Sequence, residues 1–235
     1  MNSKITKSEF EEVLGVTSVI LRDAGIEFKI HRYGPWSFSV LKVLNYGKDF
    51  RMSSMPEIGD IFSSSWENHD ESEIAREVVK LRTNGFLTGN TGLLYNKKEG
   101  LYVQDNPGVD NGKVSMSEKV LEGMLGSYEE EGVVFSDDRT VRFVKPIFTE
   151  RDLTLAQIAR DNVVVGLFNG LERADRLAEA SKHYTNGAHL WIPRNNDPSS
   201  IKIPVLGSYR LTSPRERLDI IADELEATSS RWYTF

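Results

Sequence analysis

The 235 residues suffice for one large domain or two small ones, and 39% hydrophobic with 27% charged residues is an ordinary globular balance with room for a sizeable core. A net charge of −6 argues against a surface coated by nucleic acid, which needs a clustered positive face, and the absence of cysteine excludes disulfides, thiolate metal sites and thiol catalysis. No apolar run reaches the length of a membrane span and MNSKITKSEFEE lacks a signal-like apolar region, so a cytoplasmic protein with no membrane contact is expected.

Taken in order, the spacing of Phe10, Val13, Leu14, Thr17, Ile20 and Leu21 predicts an amphipathic helix over 8–24, with Ser8 as cap and Gly25 as stop. Ile26 to Tyr33 alternates apolar and polar residues and predicts a half-exposed strand. Tyr33-Gly34-Pro35-Trp36-Ser37 is a turn and Phe38 to Asn45 a short helix. Gly47 to Asn68, with Met52, Met55, Pro56, Gly59 and a run of three serines, has no regular pattern and reads as a long loop. Asp70 to Thr83 predicts a helix ended by Gly85. Phe86-Leu87, the turn Gly89-Asn90-Thr91-Gly92 and Leu93 to Tyr95 predict a hairpin. Helix followed by hairpin is the outline of a winged helix, with Lys80, Arg82, Lys97 and Lys98 as a basic edge.

Gly100 to Asn106 predicts a strand, followed by the polar loop DNPGVDNGK. That loop lacks EF-hand spacing and reads as a surface turn. Ser117 to Glu131 predicts a helix, and Val133 to Phe135 with Val141 to Ile147 a hairpin or a long bent strand around the turn Ser136-Asp137-Asp138-Arg139.

Leu153 to Arg194 reads as helix, strand, loop, helix and strand. Val163, Val164, Val165, Leu167 and Phe168 form a β-branched apolar run, as a parallel strand buried on both faces would show. Asn169-Gly170 breaks it, Leu171 to Asn186 turns helical, Gly187 stops the helix, and His189 to Ile192 is the next strand. A right-handed βαβ unit follows, with ligands expected at the carboxyl ends of its strands.

The run VVVGLFNG, the following helix and Glu179, eight residues before Gly187, resemble the core of the nucleoside 2-deoxyribosyltransferase-like family. Asn169-Gly170 stands where that family has Asp-Gly, and Glu172-Arg173-Ala174-Asp175-Arg176 replaces its Asp-Ser-Gly-Thr-Ala loop. The resemblance implies that Glu179 attacks an anomeric carbon and holds a glycosyl intermediate, as retaining glycosidases do. Asp175, one helical turn earlier, would protonate the leaving base. Asp175, Glu179 and His183 would equally suit a solvated helix face shared with Arg176 and Lys182, or, as a third reading, a metal site; no metal is assigned.

Ile201 to Gly207 predicts a strand, placed at a sheet edge by Pro204, and Ser213-Pro214 opens a last helix with Leu218, Ile221, Ala222 and Leu225 on its inner face. The aromatic tail Arg231 to Phe235 is expected to pack on this chain or a neighbour. No Walker loop, GxGxxG or nucleophile elbow is present, so kinase, NAD-dehydrogenase and α/β-hydrolase chemistry have no support.

The expected architecture is therefore two-part: an α+β, winged-helix-like domain over 1–98 and a Rossmann-like, flavodoxin-type α/β domain with a parallel sheet over 99–235. The first functional expectation is a nucleoside- or nucleotide-binding N-glycosidase or deoxyribosyltransferase-like enzyme. Its catalytic residues would be Glu179 and Asp175, with Asn169, Gly170, Asn106, Tyr102, Arg194, Tyr209 and Arg210 lining the substrate site. The second is a non-enzymatic protein that binds nucleic acid or regulates through the N-terminal part, its α/β half sensing a ligand or mediating assembly. A structural protein with no small ligand is the third. No cofactor is expected, and a homo-oligomer is.

Overall fold

The computed structural model describes residues 9–13, 16–23, 26–33, 51–72, 75–76, 78–79, 86–96, 100–110, 113–145, 150–192, 201–207, 217–225 and 232–234. The strands are β1 (Glu9–Val13), β2 (Val16–Asp23), β3 (Ile26–Tyr33), β4 (Phe86–Thr88), β5 (Thr91–Asn96), β6 (Gly100–Asp105), β7 (Gly108–Asp110) and β8 (Lys113–Ser115). They continue as β9 (Leu125–Glu130), β10 (Val133–Ser136), β11 (Val141–Val144), β12 (Arg151–Leu153), β13 (Ala188–Trp191), β14 (Ile201–Gly207), β15 (Leu218–Leu225) and β16 (Trp232–Thr234). The helices are α1 (Met55–Glu67), α2 (Glu118–Glu122), α3 (Leu155–Ile158), α4 (Asn162–Phe168) and α5 (Leu171–Ser181).

One sheet collects fourteen of these strands in the order β1-β2-β3-β16-β4-β14-β5-β6-β11-β10-β9, with β15 joined to β14, β13 to β15 and β12 to β13. Among the described strands, parallel contacts are confined to β13 with β15 and β16 with β4. The expected parallel, Rossmann-like sheet is therefore corrected to a mixed, largely antiparallel one. Its principal run, β5-β6-β11-β10-β9, is antiparallel throughout, with a crossover between β6 and β11. β14 pairs with β4 and β5 on one side and with β15 on the other.

The run Val163 to Phe168 explains the error. It is a helix, α4, and not a strand. Asp161 caps it by accepting from the amides of Val163 (3.0 Å) and Val164 (3.3 Å), and Asn169 ends it in the left-handed conformation at φ 64, ψ 43. Every residue from Val163 to Phe168 is buried. A helix that is apolar all round is a core helix, and over six residues it cannot be told from a doubly buried strand by periodicity. Burying each large side chain contributes roughly 1.5–3 kcal/mol, against at most about 0.7 kcal/mol per residue by which valine disfavours a helix. Tertiary burial wins. α4 rests on β10 and β11 and packs against α1 and α5. Where α1 crosses, a Cβ on Gly59 would lie 2.5 Å from Cδ1 of Phe168, so glycine permits the close approach.

Five other expectations are corrected. The N-terminal helix over 8–24 is the hairpin β1–β2. The expected hairpin over 86–95 does not form, since β4 and β5 each pair with β14 and not with each other, and this removes the winged-helix outline. The expected loop 47–68 contains α1, started by a capping box in which Ser54 and Glu57 bond reciprocally, with Pro56 in the first turn. The expected helix 117–131 stops at Glu122 and continues as β9. The last helix is β15. The strand at 26–33, the hairpin β10–β11 and the strand at 201–207 lie where expected, but β14 is interior and not an edge: its register shifts between Ile203 and Val205, so Pro204 sits at a bulge. The tail strand β16 pairs with β3 and β4 of the same chain. The expected turn at 34–37 and helix at 38–45 lie outside the described residues.

Candidate functional site: a polar cleft between α1, α5 and the β9–β11 turns

Two tight turns and one helix junction build the cleft. At the end of β10 the carboxylate of Asp138 accepts from the Thr140 amide (3.0 Å) and from the hydroxyls of Ser136 (2.7 Å) and Thr140 (2.8 Å). These bonds, the Thr140 amide first, hold the Asp138 carboxyl below the usual carboxylate range. The turn places Arg139 in the left-handed region at φ 59. Its guanidinium lies over the ring of Phe135 at 4.3 Å, with the Tyr128 ring at 5.2 Å. Nε of Arg139 donates to Oδ1 of Asn169 and Nη2 to the Asn169 carbonyl, both at 3.1 Å.

Asn169 and Gly170 join α4 to α5, Gly170 at φ 124. A Cβ there would stand 2.6 Å from Nη2 of Arg139 and 3.1 Å from Oε2 of Glu130, so only glycine leaves room for both. Glu130 is the last residue of β9. Its Oε2 accepts from the Leu171 amide at 3.0 Å, the first helical amide of α5, and lies 3.7 Å from Nη2 of Arg139. On the far wall Asp60 of α1 accepts from Nε of Arg173 (2.9 Å) and Nη1 of Arg176 (3.1 Å), while Nη2 of Arg176 donates to Oγ of Ser64 (2.9 Å).

These residues, with Glu172, enclose an open cavity of about 390 Å³. Three guanidiniums face three carboxylates. Among the described residues Nη1 of Arg139 and both Nη atoms of Arg173 donate to no protein atom. Arg139 and Asn169 are two of the four non-glycine residues with positive φ among the described residues, and both line this cleft; a third, Glu131 (φ 48), directly follows Glu130 in the chain. Such conformations cost about 1–3 kcal/mol each and cluster at functional sites.

Of the sequence-predicted site residues, Asn169 and Gly170 belong to the cleft. Glu179 and Asp175 do not line it. Glu179 is 68% exposed and paired with Lys182; Asp175 is 52% exposed, 3.9 Å from Arg160. Tyr102 is buried in β6 against Phe143, with ring centroids 4.8 Å apart. Asn106 follows β6 and accepts from Nδ2 of Asn90 at 3.0 Å. Arg194, Tyr209 and Arg210 lie outside the described residues. His183 stacks on Trp66, with centroids 4.2 Å apart. Among the described residues no three His, Asp or Glu side chains converge as metal ligands do, Asp175, Glu179 and His183 included. Sequence reasoning missed Asp60, Glu130, Arg139, Arg173 and Arg176 as a group. The signal within reach was the pair Arg173 and Arg176, three apart on one helix face directly after a left-handed Asn-Gly.

A second polar cluster lies where β12, β13 and β15 meet. Nδ1 of His189 is 2.7 Å from Oδ1 of Asp152, and its Nε2 is 3.1 Å from Oε1 of Glu150. The His189 contact holds the Asp152 carboxyl below its ordinary range. Asp219, fully buried, accepts from Nε1 of Trp191 (2.9 Å) and pairs with Arg217 at 3.2 Å. These groups compensate one another across three strands, which suits a structural role.

No family model and no curated protein matches the chain. The deoxyribosyltransferase-like resemblance is thereby corrected, since the strand that carried it is α4. A solved structure described as "Accommodation of massive sequence variation in Nanoarchaeota by the C-type lectin fold" aligns over 98% of both chains at 12% identity with a TM-score of 0.47.

Proposed function

We propose that this chain is a non-catalytic binding protein whose polar cleft takes a small molecule carrying an oxyanion, carboxylate or phosphate. The observation that carries the reading is the Arg139 guanidinium. It is anchored through Nε and Nη2 on Asn169 and stacked on Phe135, with Nη1 left to a ligand. A guanidinium already held in place loses little freedom on binding, and its planar fork matches carboxylate and phosphate geometry. Arg173 brings a second set of donors to the same cavity. The expectation that Glu179 attacks an anomeric carbon loses its premise, because the strand end it was read against is a helix and Glu179 is paired with Lys182 at the surface.

Isothermal titration calorimetry with small carboxylates and inorganic phosphate at low salt tests this reading. We expect saturable binding in the micromolar to millimolar range that disappears in Arg139→Ala. Heat traces flat for every compound, with folded protein, would sink it.

A further inference from the structure

We infer that Glu130 is a built-in stand-in for the ligand. Its carboxylate holds the place that one carboxylate of a small dicarboxylic acid takes, and the second carboxylate goes to the outward donors of Arg173. The inference rests on the binding reading above and adds the ligand class and its internal competitor.

Glu130 sits between two groups that attract an anion: the first amide of α5 at 3.0 Å and the Arg139 guanidinium at 3.7 Å. Backbone amide and guanidinium together around one carboxylate make an oxyanion site, and here it is filled from within the chain. The hold is incomplete. A separation of 3.7 Å is too long for a hydrogen bond, and the Tyr128 hydroxyl reaches Oε1 of Glu130 only at 3.3 Å. Gly170 keeps the backbone beside this point bare, since a Cβ would press on Arg139 and Glu130 alike.

Glu130 is also placed to leave. It ends β9, directly before the turn Glu131-Gly132, and its side chain is 19% exposed. A ligand carboxylate entering here takes the Leu171 amide and the outward edge of the Arg139 guanidinium together, while Glu130 turns out to water. That exchange swaps one negative charge for another, so a monocarboxylate gains little. The gain comes from a second carboxylate meeting Arg173, whose Nη donors are not spent on Asp60. This selects dicarboxylates over acetate, and a molecule with two planar ends over a compact tetrahedral phosphate.

The experiment is calorimetric titration of succinate, glutarate and adipate, with acetate and inorganic phosphate as comparisons, into the wild type and Glu130→Gln. We expect one dicarboxylate to bind the wild type more tightly than acetate or phosphate. Glu130→Gln, which removes the competing charge at nearly constant volume, should tighten that binding by about tenfold, or ~1.4 kcal/mol. In ¹⁵N-resolved spectra of the wild type the Leu171 amide should shift on saturation. Wild-type dicarboxylate binding that Glu130→Gln leaves unchanged or weakens overturns the stand-in role while leaving the binding reading intact. Preference for phosphate overturns the dicarboxylate class. Should Glu130→Gln fail to fold, an unmoved Leu171 amide at wild-type saturation overturns the inference. If no compound binds the wild type at all, it is the cleft reading itself that fails.

Discussion

Arg139 and Arg142 stand three residues apart around one turn, and their surroundings could hardly differ more. Arg142 is 0% exposed, and its guanidinium is spent inside the protein. It binds both carboxylate oxygens of Asp105, and also donates to the carbonyls of Gly166 (2.9 Å) and Arg139 (3.0 Å). Asp105 in turn accepts from the Thr91 hydroxyl at 2.6 Å. Arg139 is 39% exposed and anchored on one side only. Residue type therefore says little about role here. What separates the two is their place on the chain. Arg142 lies within β11 and points under α4, where every donor must find a partner because water is excluded. Arg139 lies in the turn before β11, where a left-handed backbone aims it at the cleft.

The largest expected effect falls on the buried member. Arg142→Ala strands Asp105 without its cation and should cost about 3–5 kcal/mol, read from urea unfolding. Adding Asp105→Asn should recover part of that loss. A loss below about 1 kcal/mol would break the contrast between the two arginines. Next comes Gly170→Ala, strained at φ 124 and pressing on Arg139. It should lower stability by about 1–3 kcal/mol and weaken ligand binding, and an unchanged melting temperature would contradict the packing described. Arg139→Ala should change stability by no more than about 1 kcal/mol yet lower ligand affinity at least tenfold, the reverse of Arg142→Ala.

The smallest effect extends the comparison to an exposed arginine. Arg51 bonds to Glu57, whose carboxyl is lowered to about 2 by that bond first, with help from the Ser54 amide and despite some burial. Because the folded pKa lies below the ordinary glutamate value of about 4.3, Glu57 stabilises the fold above that value. The contribution should fade as pH falls from about 4.5 to about 2. Denaturation of wild type and Glu57→Gln across that range should show the wild-type advantage closing. An advantage that persists undiminished below pH 2 would remove the capping role at acid pH.

Some of this was open to reading along the chain. β3 announces itself by alternation over Ile26 to Tyr33, and the turn at Ser136 to Arg139 by its cluster of Asp residues. The start of α5 follows from Asn169-Gly170. α1 was legible but missed: Ser54-Met55-Pro56-Glu57 carries a serine cap, an early proline and a glutamate three residues on. The helix-like spacing in 8–24 failed for another reason. Residues 10, 13, 17 and 20 fall within β1 and β2, and their pairing with each other and with β3 selects the hairpin.

The sequence by itself determined where the chain turns, which residues are too apolar to face water, and that Asn169-Gly170 is a special junction. Those are local matters, set by backbone sterics, capping and transfer free energy. Tertiary structure alone decided that Val163 to Phe168 is a core helix, that Leu218 to Leu225 is a strand between β13 and β14, and that the sheet is mainly antiparallel. It also decided the site. Asp60, Glu130, Arg139, Asn169 and Arg173 come from separate parts of the chain, and only the packing of α1 and α5 on each other and on α4, which itself rests on β10 and β11, brings their charges to one cavity. Strand neighbours and charge neighbours depend on which distant surfaces bury each other, and no local pattern in the chain encodes that.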